Sequence, residues 1–277
     1  MKIYISFDME GIAGISNWSQ ETQERQLYLN LVHDQVYTVI QGIQKSTKNT
    51  EVSQITVCDG HGQGTSLDYQ RVCQMDRRIE LISGRPRSEF MVHGIAGHDL
   101  AIFLGYHAGS GQHKSNMEHS YNSGAVHKIT VNGLKCSEAM INSLYAKEMG
   151  VPVALIIGDS GLYDQLIREG YMSYIEYVIT KHSISRYATK FKNAQLLKEE
   201  IFEAVDHILL KNPKTLPMPD LTSPYSLTIE FNRTDQADRA ERLVGAYRLD
   251  GYRVSITLEK AKDLLNTIEV MNALAGK

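Results

Sequence analysis

Six side chains of this 277-residue chain stand where acids and imidazoles can work together. They are Asp8 and Glu10 in ISFDMEGIAG, His61 in CDGHGQG, His107 in LGYHAG, His119 in NMEHS and Glu138 in CSEAM. Two or three carboxylates with two imidazoles are a donor mixture that zinc and similar divalent ions accept. Each residue also has an ordinary explanation. Asp8 and Glu10 could be solvated loop acids, and Glu138 would interact favourably with a helix dipole by ~0.3–1 kcal/mol. A single loop histidine is commonly just hydrogen-bonded. What unites Asp8, Glu10, His61, His107 and Glu138 is position, because each follows an apolar run or opens a helix, and a parallel sheet gathers such ends on one rim. His119 lies in a glycine-rich loop that can fold back over the same rim. With an ordinary pKa of ~6.5, its imidazole suits proton transfer near neutrality.

The elements that must position these groups are legible from periodicity. KIYISF alternates, with Ile3, Ile5 and Phe7 on one face and Tyr4, Ser6 and Asp8 on the other. Asp8 and Glu10 would share a face if the extended chain persists to residue 10. Residues 21–47 carry Leu29, Val32, Val36, Val39, Ile40 and Ile43 at helical spacing. SQITVCD, IELISG and LAIFLG then read as further strands, and the alternation predicts βαβ units. Residues 121–136 read as a hairpin turned at Asn132-Gly133. A helix capped by Ser137 and ended before Gly150 and Pro152 follows, then the buried strand VALIIGD. A long helix over about 192–211 leads to KNPKTLPMPDLTSP, the best linker candidate. Beyond it, YSLTIEF, a helical stretch over 233–244, YRVSITL and a C-terminal helix suggest a small α+β lobe. The expected class is α/β, a mainly parallel Rossmann- or flavodoxin-like sheet flanked by helices. Residues 1–211 form the catalytic domain and 212–277 the smaller lobe, packed with it as one unit.

Composition narrows the partners. Apolar residues make up 42% and charged residues 22%, with 29 basic against 32 acidic side chains and a formal net charge of −3. That balance supplies no field for nucleic acid or a membrane surface. MKIYISFDMEG is too short and too acidic for a signal sequence, and no apolar run reaches membrane length, so the cytoplasm is expected. The cysteines Cys58, Cys73 and Cys136 form neither a disulfide framework nor a Cys-x-x-Cys zinc pattern. GHGQG lacks the lysine of a phosphate loop, and there is no Gly-x-Ser-x-Gly elbow.

SFDMEGIAG, DGHG, FLGYHA, MEHS and CSEAMINS, in that order, resemble the zinc-dependent D-aminopeptidases of peptidase family M55. KHSISRYATK, LTIEFNRTDQAD and the closing EKAKDLLNTIEVMNALA extend the resemblance over nearly the whole chain. It implies two zinc ions per subunit held by Asp8, Glu10, His61, His107 and Glu138, with Asp8 bridging, and His119 as the catalytic histidine. It further implies short peptide substrates, a preference for D-residues such as D-alanine, and a homodecameric ring. Glu118 stands where the family often has serine, and the loop between His107 and His119 is one residue longer.

Two ions ~3.5–4 Å apart can polarise a scissile carbonyl and activate water near neutral pH. A dimetal phosphoesterase would use the same donor set, but no arginine or lysine is evident at the same strand ends to hold a phosphate. The other alternative is a flavodoxin-like binding module with a structural or sensory metal site. Structural zinc sites lean on cysteine, and here the cysteines sit apart. Asn142, one turn after Glu138, reads as a helix-surface residue or a substrate contact. Cys58 and Cys136 read as small core residues.

Overall fold

The first apolar run forms strand β1, Lys2–Phe7, of a computed structural model that describes residues 1–276. Ile3, Ile5 and Phe7 enter one apolar core and Tyr4 the other, as the alternation predicts. The helical pattern that follows begins at Ser19 and breaks at Glu24, whose φ of −118° leaves the helical region, giving α1 (Ser19–Gln23) and α2 (Arg25–Lys45). Strand β2 (Gln54–Asp59), the short helix α3 (Tyr69–Cys73), β3 (Ile79–Ile82) and β4 (Leu100–Tyr106) come next. The hairpin of β5 (Val126–Val131) and β6 (Leu134–Lys135) turns through Asn132 and Gly133, with φ of 52° and 80°, as a primed turn requires. Helix α4 (Glu138–Glu148), strand β7 (Val153–Gly158), α5 (Ser160–Tyr163) and β8 (Glu176–Ile179) lead to an antiparallel pair, β9 (Lys181–Ser185) and β10 (Ala188–Phe191), that periodicity did not announce. After α6 (Ala194–Leu210) and the proline-rich segment come β11 (Tyr225–Phe231), α7 (Thr234–Ala240), β12 (Tyr247–Arg248), β13 (Arg253–Leu258) and α8 (Ala261–Ala275).

Six strands pair in parallel in the order β3-β2-β1-β4-β7-β8, and α2 and α6 cover one face while α4 lies on the other. The class is α/β, as expected. Buried on both faces, β4 and β7 read as near-continuous apolar runs. Strand order reverses between β1 and β4. That switch point is where the loops diverge and leave a crevice at the carboxyl ends of an open sheet. The second sheet, β12-β13-β11-β5-β6, is antiparallel. In it β11 pairs with β5, placing Leu227 opposite Val131 and Ile229 opposite Ile129. The C-terminal lobe therefore shares its sheet with a hairpin from before residue 211.

Strand β1 stops at Phe7, short of the extended chain to residue 10 that would put Asp8 and Glu10 on one face. The cause is a close approach of two backbones. Gly11 N–H donates to Gly105 O at 2.6 Å. A Cβ on Gly105, whose φ is +78°, would lie 2.0 Å from Asp8 O. The chain turns over β4 there, and the turn, not strand alternation, brings both acids inward. Gly105→Ala should accordingly destabilise the fold by ~1–3 kcal/mol through overpacking and lower divalent-ion binding by displacing Asp8. Thermal melting paired with metal analysis checks this; a variant that melts and binds ions like the parent would show that the approach does not position Asp8.

Candidate metal centre

All five expected ligand residues meet at the switch point. Asp8 and Glu10 follow β1, His61 follows β2, His107 follows β4, and Glu138 opens α4 behind Ser137, whose hydroxyl accepts from Met140 N–H at 3.4 Å. His61 Nδ1 lies 3.4 Å from Asp8 Oδ1 and 3.2 Å from Glu10 Oε2. His107 Nε2 lies 3.4 Å from Asp8 Oδ2 and 3.8 Å from Glu138 Oε1. Three donor trios result among the described residues, Asp8–Glu10–His61, Asp8–His107–Glu138 and Glu10–His107–His119, each with its ligand atoms within 4.8 Å of one another; Asp8 belongs to the first two, and the third draws in His119. His119 joins from the β4–β5 loop. Its ring stacks on His107 with centroids 4.3 Å apart, and its Nε2 is 3.8 Å from Glu10 Oε1 and 3.9 Å from Glu138 Oε1.

Most of these groups commit one polar atom to the protein and turn another toward the centre. Asp8 Oδ1 accepts from Met9 N–H at 3.0 Å, and Glu10 Oε1 accepts from Trp18 Nε1–H at 2.8 Å. Glu138 Oε1 accepts from Tyr121 N–H at 2.6 Å. His107 Nδ1–H donates to Ala108 O at 2.9 Å, and His119 Nδ1–H donates to Met117 O at 3.0 Å. Such outer hydrogen bonds fix the tautomer and aim Nε2 inward. Asp8 Oδ2, Glu10 Oε2 and His107 Nε2 are buried with no hydrogen-bond partner among the described residues. Buried polar atoms seldom stay unpaired, and three lone-pair bearers facing one another fit divalent cations. Carboxylates and imidazoles without thiolate are the donor set of an open hydrolytic centre.

The whole chain has known relatives. The family model for peptidase M55, D-aminopeptidase, matches residues 1–270. The chain belongs to the peptidase M55 family. A D-aminopeptidase of Bacillus subtilis (strain 168) is 26% identical over 98% of this chain and 95% of its own length. A solved structure of DppA from Bacillus subtilis, described as a zinc-dependent, self-compartmentalizing D-aminopeptidase, superposes with a TM-score of 0.87 at 25% identity, covering 99% of this chain and 98% of that one.

Several residues of this M55 site carry no signal in their spacing. Trp18 bonds Glu10 and sets its edge against His119, with centroids 5.4 Å apart. As the chain's single tryptophan, it offers only rarity as a clue. Glu21 Oε2, 3.4 Å from His61 Nε2, orients that ring. Lys181, fully buried at the start of β9, donates through Nζ to Glu10 O and Ile15 O and ties down the loop that carries Glu10. Burial pulls its pKa down to about 8, against the attraction of Asp159 and Glu10.

Two expectations need correction. An arginine does stand at this rim: Arg85, past the end of β3, lines the same ≈ 280 Å³ cavity as Asp8, Glu10, His61, His119 and Glu138. The loop after β3 folds back under Gly60, a tertiary contact that strand periodicity does not carry. Asn142 lies on no helix surface, because α4 is buried from Glu138 to Ala146; its Nδ2 donates to Tyr106 Oη at 3.0 Å beneath the site. Asp59 stands apart, its Oδ2 accepting from Ser66 and Leu67 N–H at 2.6 and 2.8 Å. Cys58 and Cys136 are buried.

Charges in the M55 centre shift one another. Burial and the neighbouring Glu10 raise Asp8 to about 7. Burial opposes charge on His107, yet Glu138, Glu10 and Asp8 lift it to about 9, and Glu10 with Asp8 likewise lifts His61 well above its ordinary value. Burial and His107 lower His119. An incoming cation displaces protons from His61 and His107, both raised above the ordinary imidazole value, so affinity should rise with pH through the range in which they titrate, His107 at about 9. Calorimetry of chelated protein with zinc in two buffers of different ionisation heat should register proton release. His61→Ala should retain one ion, whereas Asp8→Ala, lacking the shared carboxylate, should retain neither; equal stoichiometries by metal analysis would contradict the shared arrangement.

Proposed function

We propose that this chain is a dinuclear zinc aminopeptidase that removes the N-terminal residue of short peptides, with preference for D-residues and D-alanine in particular. The observation that carries it is the pair of donor trios sharing Asp8, with His119 in the same cavity. Asp8, Glu10 and His61 would hold one ion, and Asp8, His107 and Glu138 the other. Zinc, when bound, polarises the scissile carbonyl and acidifies water. Membership of a D-aminopeptidase family, and the zinc dependence of DppA, support the metal and the substrate class.

His119 is the catalytic residue. Its lowered pKa keeps the ring neutral near pH 7, so Nε2 can take the proton of a water whose oxygen attacks the carbonyl carbon. The same proton then goes to the amide nitrogen as the C–N bond breaks, releasing the shortened peptide with a free amine. Met117 O holds Nδ1–H, and the faces and edges of His107 and Trp18 fix the ring plane. Glu10 Oε2 and Asp8 Oδ2 stay oriented because their other oxygens are bonded to Trp18 and Met9.

The subunit is a cytoplasmic homo-oligomer, a decamer on the family pattern, and residues 1–211 and 212–277 act as one catalytic unit. Supporting this are the self-compartmentalizing character of DppA, the β5–β11 pairing, and exposed apolar side chains on the β9–β10 hairpin: Ile184 at 59% and Tyr187 at 52%. No helix among the described residues is long and apolar enough to cross a membrane.

His119→Ala should lower kcat by ~10²–10⁴-fold at unchanged zinc content, the range of general acid–base catalysis. Metal retained with turnover near the parent's would remove His119 from the mechanism. Parallel assays on D-Ala-D-Ala and L-Ala-L-Ala read handedness, and preferential cleavage of the L-peptide would overturn the D-preference.

A further inference from the structure

Among the described residues Arg85 is the one arginine or lysine lining the metal cavity, and no carboxylate lies within ion-pair distance of it, Glu138, Glu269 and Asp8 acting on it from farther away. Arg85 Nη2 donates to Gly60 O at 2.7 Å, one residue before His61, and its guanidinium lies over the Phe90 ring at 3.7 Å from the centroid. Phe90 in turn packs edge-on against Tyr121, whose backbone N–H holds Glu138. The guanidinium is thus immobilised between anchors of two ligand residues. Its Nε is buried with no hydrogen-bond partner, and among the described residues Arg85 forms no ion pair. Two other loop arginines do find carboxylates, Arg78 with Asp76 at 2.7 Å and Arg186 with Glu118 at 2.6 Å. Behind Arg85 lies a second buried guanidinium, Arg87, which donates to the backbone carbonyl of Asp59 at 2.6 Å and leaves Nε and Nη1 unpartnered. Both guanidiniums give their protein hydrogen bonds to carbonyl oxygens and leave donors over, and burying such donors unpaired is costly.

A planar guanidinium with free donors matches a carboxylate in a two-point geometry that an ammonium does not offer. The cavity, at ≈ 280 Å³, is close to the lower end of the ~300–1,000 Å³ of drug-sized ligand sites, room for a small part of a peptide. The acidic cluster and Arg85 line the same cavity. Metal-binding carboxylates together with a guanidinium complement a peptide with both termini free.

We infer that Arg85, seated on Phe90, is the subsite for the free C-terminal carboxylate of the substrate, making this enzyme selective for short, uncapped peptides. The inference rests on the aminopeptidase reading above and extends it to the far end of the substrate. It also assigns the rim arginine to a carboxylate rather than a phosphate ester.

The test compares zinc-loaded enzyme on D-Ala-D-Ala, on its C-terminal amide, and on D-Ala-D-Glu amidated at its α-carboxyl, whose single carboxylate is on the side chain. The parent should favour the free acid over both amides by ~10-fold or more in kcat/KM, the worth of a charged hydrogen bond. In Arg85→Gln that ratio should fall toward one, mainly through a higher KM for the free acid, while zinc content and thermal melting stay near the parent's. Arg85→Lys, which keeps the charge without the fork, should recover part of the ratio. Inhibition of the parent by D-alanine and by D-alaninamide reads the subsite without any substitution, and D-alanine should be the stronger inhibitor. An unchanged acid-to-amide ratio in Arg85→Gln, or equal inhibition by the two products, overturns the subsite while leaving the aminopeptidase standing. Arg85-dependent preference for the side-chain acid moves the contact off the C-terminus and overturns the assignment. No cleavage of any of the three by the parent overturns the aminopeptidase reading and the subsite together.

Discussion

Asp8, Glu10 and Glu138 are 2%, 1% and 4% exposed, and Asp8 shares a donor group, its atoms within 4.8 Å, with each of the other two. Placing three carboxylates out of water side by side costs several kcal/mol for each ion unless opposite charge compensates them. The imidazoles of His61 and His107 offer partial compensation by holding protons more tightly than usual. Divalent cations offer more, because each concentrates two charges where the unpartnered oxygens and Nε2 already point. The rest of the site follows from this requirement for positive charge.

The fold meets it by geometry rather than by a binding loop. The reversal of strand order between β1 and β4 opens the sheet, and residues from the ends of β1, β2 and β4 enter the gap with the first turn of α4. A second tier of contacts then removes rotational freedom. Trp18, Met9, Tyr121, Ala108 and Met117 each hold one polar atom of a central side chain, and Lys181 anchors the Glu10 loop from behind. Preorganisation of this kind leaves little reorganisation for the moment of reaction. The β9–β10 hairpin takes part as well: Arg186 pairs with Glu118 and accepts Met117 N–H on its carbonyl at 2.8 Å, steadying the segment that bears His119.

The cavity offers groups of both signs, for the acids and imidazoles of the candidate metal centre and the guanidinium of Arg85 on Phe90 line it together. The departure of Glu118 from the family's serine acquires a physical meaning here, since its carboxylate serves Arg186 rather than the reacting groups.

Much of this was legible in the chain itself. Apolar runs identified the strands, and the acids and histidines directly after them marked the rim, because a parallel sheet has no other place to put polar strand ends. The motif order of ISFDMEG, DGHG, GYHA, MEHS and SEAM carried the family. What periodicity could not carry were contacts made by turning or by distant approach. Asp8 and Glu10 converge through the Gly11–Gly105 backbone contact, a constraint visible only when two strands lie side by side. Arg85, Trp18 and Lys181 belong to irregular loops or to a hairpin with no repeating pattern, and Asn142 is buried because α4 packs against β4 and α8 and is covered along Glu138 to Ala146. Residue type and order determined which groups were available for chemistry; packing of loops against the switch point decided which of them touch, since hydrogen bonds and charge act over a few ångströms and sequence separation does not measure that distance.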